Sequence, residues 1–189
     1  MLIQNKEDLL LLFQTDGWIM DILKTVKTLE LPDWWVCAGF VRSKIWDTLH
    51  GYRERTPLAD VDVIFFDPAE VDEGYEKELE LRLQQLAPTI PWSVKNEARM
   101  HLVNDIPPYT SSEDAISKFP ETATGLGLKL DVWDQVIVTT PWGLEDVLEM
   151  NIKPTPLFQS SPELAAIYEK RIVQKNLKSK WPQVTVFHT

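Results

Sequence analysis

Apolar residues recur at Leu9, Leu10, Leu12 and Phe13, then at Trp18, Ile19, Ile22, Leu23 and Val26. That spacing predicts helix over residues 5–28, as two short helices or one broken near Gly17. Asn5 is the expected cap, with Asp8 in the first turn, where the helix dipole favours a carboxylate. Leu31-Pro32 ends the stretch. Trp34 to Ala38 fits a short buried strand closed by Gly39. Val41, Ile45, Trp46 and Leu49 then make residues 40–50 helical up to Gly51. Val61 to Phe66, rich in β-branched and aromatic residues, is the strongest strand signal in the chain.

Leu79, Leu83 and Leu86 place a helix over 70–87, stopped by Pro88 and Pro91. Trp92 to Met100 alternates as a strand. Ser112 reads as a helix cap ahead of Ala115, Ile116 and Phe119. Short strands follow near Gly127–Leu130 and Gln135–Thr139, then a brief helix around Leu144–Met150. Ser161-Pro162-Glu163, a cap followed by proline at the first helical position, starts a helix that reaches about Leu177. Strands alternating with helices predict an α/β (α+β) sheet domain. The expected organisation is one domain over 1–189 with its core at about 30–140. Helices 5–28 and 161–178 should pack on that core.

Composition narrows the function classes. Hydrophobic residues make up 44% of the 189, enough for a sizeable core. The eight Trp should be core or groove walls. Lys plus Arg number 19 against 29 Asp plus Glu, a net charge of −10. Sequence-independent nucleic-acid binding draws on a broad basic face, so this balance argues against a nucleic-acid acceptor. The one basic stretch, Lys170-Arg171 to Lys180, reads as a solvated helix face. Cys37 has no cysteine partner and lies in an apolar run, which makes it a small buried hydrophobe. His50, His101 and His188 show no zinc spacing. No apolar run is long enough to span a membrane, and residues 1–5 lack the pattern of a signal peptide, so a cytoplasmic location is expected.

The chemistry concentrates in one segment. Side chains at i and i+2 of a strand share a face, so Asp60 and Asp62 project together while Val61 and Val63 pack on the other side. Close parallel carboxylates repel, and a hard divalent cation resolves the repulsion. Mg²⁺ suits such a pair because it takes one or two carboxylates plus substrate phosphates. Upstream, Gly39 stands where a strand passes into a helix and lets a bound group approach the backbone. The helix start offers free N–H groups and a positive dipole end to phosphate, and Arg42 can add a charge-assisted clamp. The alternative is that Arg42 is a structural ion-pair partner of Asp47 or Asp60.

The run AGFVRSKIWDTLHGYRERTPLADVDVIFFD, from Ala38 to Asp67, resembles a bacterial nucleotidyltransferase-like family formerly classed as a domain of unknown function. It is similar, more loosely, to the heads of tRNA nucleotidyltransferases and bacterial poly(A) polymerases, where a Gly-x-Val-Arg helix start precedes an Asp-x-Asp strand. The first resemblance continues through Val94 to His101, Pro120-Glu121-Thr122-Ala123 and Gly143-Leu144-Glu145-Asp146, and covers roughly residues 10–180. It implies a DNA-polymerase-β-like core, a small mixed sheet with flanking helices. It also implies transfer of a nucleoside monophosphate from a Mg²⁺ (or Mn²⁺) complex of an NTP. Asp60 and Asp62 would be the metal ligands, and Gly39 and Arg42 the phosphate-binding residues.

Two departures from that pattern stand out. Phe40 follows Gly39 where the superfamily has Ser or Gly, so a serine hydroxyl for the phosphate is missing. The superfamily also uses a third carboxylate on a neighbouring strand; Glu97 is the candidate, as metal ligand or general base, with Asp131 the alternative. Arg99 and His101, two apart on the expected strand, could both face the cleft. Consecutive strand residues point to opposite faces, so at most one of Trp34 and Trp35 could face a ligand. The expected activity is transfer to a hydroxyl of a small molecule or protein. The alternatives are a catalytically silent nucleotide- or protein-binding module on the same fold, and structural carboxylates beside a Trp-rich groove that binds a partner.

Overall fold

The computed structural model describes residues 3–189, the side chain of Asn104 excepted. Asn5 Oδ1 accepts from the Asp8 amide at 2.9 Å and starts α1 (Lys6–Gln14). The break before α2 (Gly17–Lys27) falls at Asp16, whose carboxylate accepts from the Ile19 amide at 3.2 Å. A side chain that caps the next turn cannot also continue the previous helix, so two helices form.

The other main elements are β1 (Trp35–Cys37), α3 (Gly39–Leu49), β2 (Val61–Phe65), α4 (Glu73–Leu86) and β3 (Trp92–Asn96). They are followed by α5 (Glu97–Asn104), α6 (Ser112–Ser117), β4 (Gly127–Leu130), β5 (Val136–Thr139) and α7 (Glu145–Leu148). The chain closes with β6 (Asn151–Ile152), α8 (Pro162–Lys175), α9 (Leu177–Lys180) and β7 (Thr185–Val186). The main sheet runs β3-β2-β1-β4-β5, parallel only between β2 and β3. A separate pair joins β6 to β7.

Strand alternation divides the sheet into two unlike faces. Val36, Val61, Val63, Phe65, Val94, Leu128 and Leu130 belong to one continuous core. The helices α2, α3 and α4 pack against these strands. Trp35, Cys37 and Ile64 lie on the other face and form a smaller cluster with Ile116 and Phe119. At Gly127 an added Cβ would come within 2.9 Å of Ile116 Cδ1 and 3.0 Å of Thr139 Cγ2, so only glycine lets the α6 segment sit this close to the sheet. The second face is covered by few apolar residues, which leaves polar positions on it free for chemistry.

Three sequence expectations change. The strand expected over Trp92–Met100 ends at Asn96, and α5 begins at Glu97. Asn96 Oδ1 accepts from the Ala98 and Asp67 amides, so it caps the helix and ties it to the end of β2. The α6 cap is Ser111, accepting from Asp114; Ser112 is helical, and its hydroxyl donates to the Asp33 carbonyl at 2.6 Å. Leu86, expected on the apolar face of α4, is 56% exposed because Ala87 and Pro88 turn the chain away after Leu83. Trp34 and Trp35 are both buried, on opposite faces of the sheet.

Candidate active site

At the end of β1, Ala38 adopts φ 59°, ψ −125°, a conformation that L-residues seldom adopt. This turn redirects the chain into α3 immediately after the strand. No side chain caps the helix, so the amides of its first turn have neither an intrahelical acceptor nor a capping group. A Cβ at Gly39 would meet only Arg42 Nη2, at 3.7 Å. That end of α3 therefore presents backbone donors to a cleft of about 240 Å³.

Asp60 and Asp62 line the same cleft, together with Ala38, Gly39, Arg42 and Ser43. Asp62 lies opposite Cys37 on β1 and Ser93 on β3. Burial and the neighbouring charge of Asp60 push the Asp62 carboxyl up to about 6, against the pull of Lys175, Arg171 and a hydrogen bond with Ser93. Asp60, just before β2, and Asp62, on it, line one cleft and form a hard-oxygen pair that suits a divalent cation. Cys37, fully buried beside them, has its thiol driven well up by burial and by Asp62, Glu97 and Asp60. It remains a protonated, inert neighbour.

Arg42 is 6% exposed. Its guanidinium lies 5.1 Å from the Trp46 ring and 5.7 Å from that of Trp181, and Nη1 donates to Thr124 Oγ1 at 2.9 Å. Nε is buried without a partner. Burial pulls the group down to about 10, and Glu121 works in the opposite direction. Asp47, one of its suggested partners, accepts instead from the Thr56 amide and hydroxyl and from Trp181 Nε1. Arg42 is thus a cation held between aromatic rings at the cleft wall, with hydrogen-bonding capacity to spare.

Glu97 is not among the residues that line this cleft; it opens α5, four residues beyond Ser93, though its charge still reaches Asp62 and Cys37. Burial, Glu76 and Asp62 raise its carboxyl to about 8. The β3 position beside Asp62 is Ser93, not an acid. Asp131 turns the β4–β5 hairpin, accepting from the Trp133 and Gln135 amides. Among the described residues, no three His, Cys, Asp or Glu side chains cluster as metal ligands. Arg99 and His101 sit on α5 rather than on a strand. Arg99 is bound through Nε and Nη2 to the buried Glu76.

Sequence reasoning missed the far wall of the cleft. Arg171 and Lys175 of α8, Lys180 of α9 and Trp181 all line it. Arg171 Nε is 2.5 Å from Glu121 Oε1, and Tyr168 Oη donates to the carbonyls of Ile152 and Phe187, which anchor α8. The basic stretch expected to be a solvated face thus turns part of its charge onto the two aspartates. The four-residue spacing of Arg171 and Lys175 shows that they share a helix face, but nothing local shows what that face meets.

The nucleotidyltransferase family pattern matches residues 24–186. A protein solved by NMR, described as revealing a CCA-adding enzyme head domain, is 35% identical with a TM-score of 0.89; the match covers 99% of this chain and 98% of that one. The Thermotoga maritima CCA-adding enzyme complexed with tRNA is 16% identical with a TM-score of 0.52, over 98% of this chain and 43% of that one. The present chain thus spans less than half of that enzyme's length. No curated protein sequence matches the chain. No helix among the described residues is long and apolar enough to cross a membrane. By the match to the family pattern and the likeness to the head-domain structure, the chain belongs to the nucleotidyltransferase family and has its polymerase-β-like fold.

Proposed function

We propose that the chain transfers a nucleoside monophosphate from an NTP to a hydroxyl acceptor, with Asp60, Asp62, Gly39 and Arg42 as its working residues. The observation that carries this reading is the convergence of the two aspartates and the uncapped start of α3 on one cleft. Asp60 and Asp62 would hold Mg²⁺ or Mn²⁺, which when bound neutralises the triphosphate and helps orient in-line attack. The α3 amides and the Arg42 guanidinium would hold the β- and γ-phosphates. Arg171, Lys175 and Lys180 would add positive charge around them, so that positioning and charge do the catalytic work. The acceptor oxygen bonds to the α-phosphorus, and the bond from that phosphorus to the oxygen leading to the β-phosphate breaks. Pyrophosphate leaves with the electron pair and the hydroxyl proton goes to water.

Ser93 beside Asp62, where a third acid would stand, favours a second reading: a module that binds the nucleotide without turning it over. One experiment separates the two. Thermal stability is measured with each NTP, with and without Mg²⁺ or Mn²⁺, for the wild type and Asp60→Asn/Asp62→Asn. Ligand at about 100 times its Kd adds about 2.7 kcal/mol. Metal-dependent stabilisation lost in the double variant supports the site. Pyrophosphate release with candidate acceptors then identifies an enzyme, and its absence a binder. Identical responses of the two proteins would end the nucleotide reading.

A further inference from the structure

A second cavity, of about 590 Å³, runs along α8 beside the α5–α6 segment and shares Arg171 and Lys175 with the aspartate cleft. The two spaces therefore adjoin. Lys118 and Lys170 also line the groove, and no acidic residue does. Lys118 is paired with Asp114 and Arg171 with Glu121. Lys170 and Lys175 have no ion-pair partner among the described residues. In a chain of net charge −10, two unpaired lysines on a wall that no acid lines are a local reversal of sign. It disfavours polyamine-like or aminosugar acceptors and attracts anions.

The rest of the lining is apolar. Phe158, Leu164 and Tyr109 form the wall, and Lys118 Nζ lies 5.3 Å from the Tyr109 ring. Ile167 is 53% exposed and Val103 61% exposed at the rim. Apolar side chains left open around a cavity are satisfied when an apolar ligand covers them. A single strand of nucleic acid is gripped by a track of cations with stacking rings along it. This groove mixes two rings, Phe158 and Tyr109, with aliphatic Leu157, Leu164 and Ile167, and its unpaired lysines, Lys170 and Lys175, lie on α8 alone rather than in a track along its length. Its volume lies within the roughly 300–1,000 Å³ of small-molecule sites.

We infer that this groove seats the acceptor, and that the acceptor is a small anion with an apolar body, bearing its charge as a carboxylate, phosphate or sulfonate. Its role as acceptor rests on the nucleotidyltransferase reading; the binding itself does not. Lys170 and Lys175 take the anionic group and Ile167, Phe158 and Leu164 take the body. The junction at Arg171 then directs the free hydroxyl toward the aspartate cleft.

Anilinonaphthalene sulfonate, an aromatic anion, is a direct probe. Titrated into the full chain without nucleotide, it should saturate at one molecule per chain. Lys170→Glu and Ile167→Asp should each weaken it about tenfold. Lys178→Glu, on α9 outside the groove, should leave it unchanged, with all melting temperatures alike. Binding should persist in Asp60→Asn/Asp62→Asn, so failure of the nucleotide reading and failure of the groove are told apart. Absence of saturable binding, or indifference to both groove variants, overturns the inference. Displacement by oligothymidylate overturns it in favour of a nucleic-acid track.

Discussion

Trp181 Nε1 donates to Asp47 Oδ1 at 2.8 Å across 134 residues of chain, and both residues are buried. The same indole lies edge-on to Trp46, with centroids 5.3 Å apart, and its ring stands 5.7 Å from the Arg42 guanidinium. One residue near the C-terminus therefore sets the wall against which the candidate phosphate ligand rests.

Trp181→Phe should remove that donor while leaving a ring in place. Asp47 keeps its bonds from Thr56. The expected cost is about 1–3 kcal/mol, the price of a buried acceptor losing a partner. Denaturant melts of wild type and variant measure it, and an unchanged midpoint would show that the bond contributes nothing.

Ala38 occupies a conformation that only glycine adopts freely, φ 59° with ψ −125°. Ala38→Gly should therefore stabilise the protein by about 1 kcal/mol, after allowing for glycine's entropy in the unfolded chain. That corresponds to a rise of roughly 2–4 °C in melting temperature for a chain of this size. Ala38→Val should destabilise it by more than the glycine gains, because a β-branched residue tolerates positive φ least.

Gly39→Ala separates folding from binding. The added methyl meets only Arg42 Nη2 at 3.7 Å, so stability should hold or rise slightly. The methyl nevertheless projects into the cleft at the uncapped start of α3. Stabilisation by Mg-NTP should fall at least tenfold in apparent affinity, on the order of 1.4 kcal/mol. A variant that binds NTP as well as wild type would remove the start of α3 from the site.

Glu97 predicts a pH dependence. Burial, Glu76 and Asp62 raise its folded pKa to about 8 from 4.5, so the folded state holds a proton that the unfolded state has lost. Its contribution to stability is fully present below about pH 4.5 and disappears as pH rises through about 8. Glu97→Gln should flatten the stability profile across that window and melt higher than wild type at pH 8.5. Parallel thermal profiles of the two proteins would refute this.

Much of the architecture was legible because its causes are local. Asn5 and Ser161 cap helices through side chains that reach three residues ahead. Alternation put Asp60 and Asp62 on the face opposite Val61 and Val63, and both acids line the cleft beside Gly39. Local pattern failed at Asn96. The alternation of Trp92 to Met100 carried the expected strand through a cap whose partners include the Asp67 amide, 29 residues away.

The chain's own pattern determined the aspartate pair, the glycine at the start of α3 and the order of strands and helices, since each depends on residues within a turn or two. Tertiary structure alone decided what surrounds the pair. The parallel register of β2 and β3 set Ser93 rather than Glu97 beside Asp62. The bond from Arg171 to Glu121, 50 residues apart, turned a basic helix toward the acids. Register and helix docking are set by contacts between distant segments, and such contacts leave no period in the sequence.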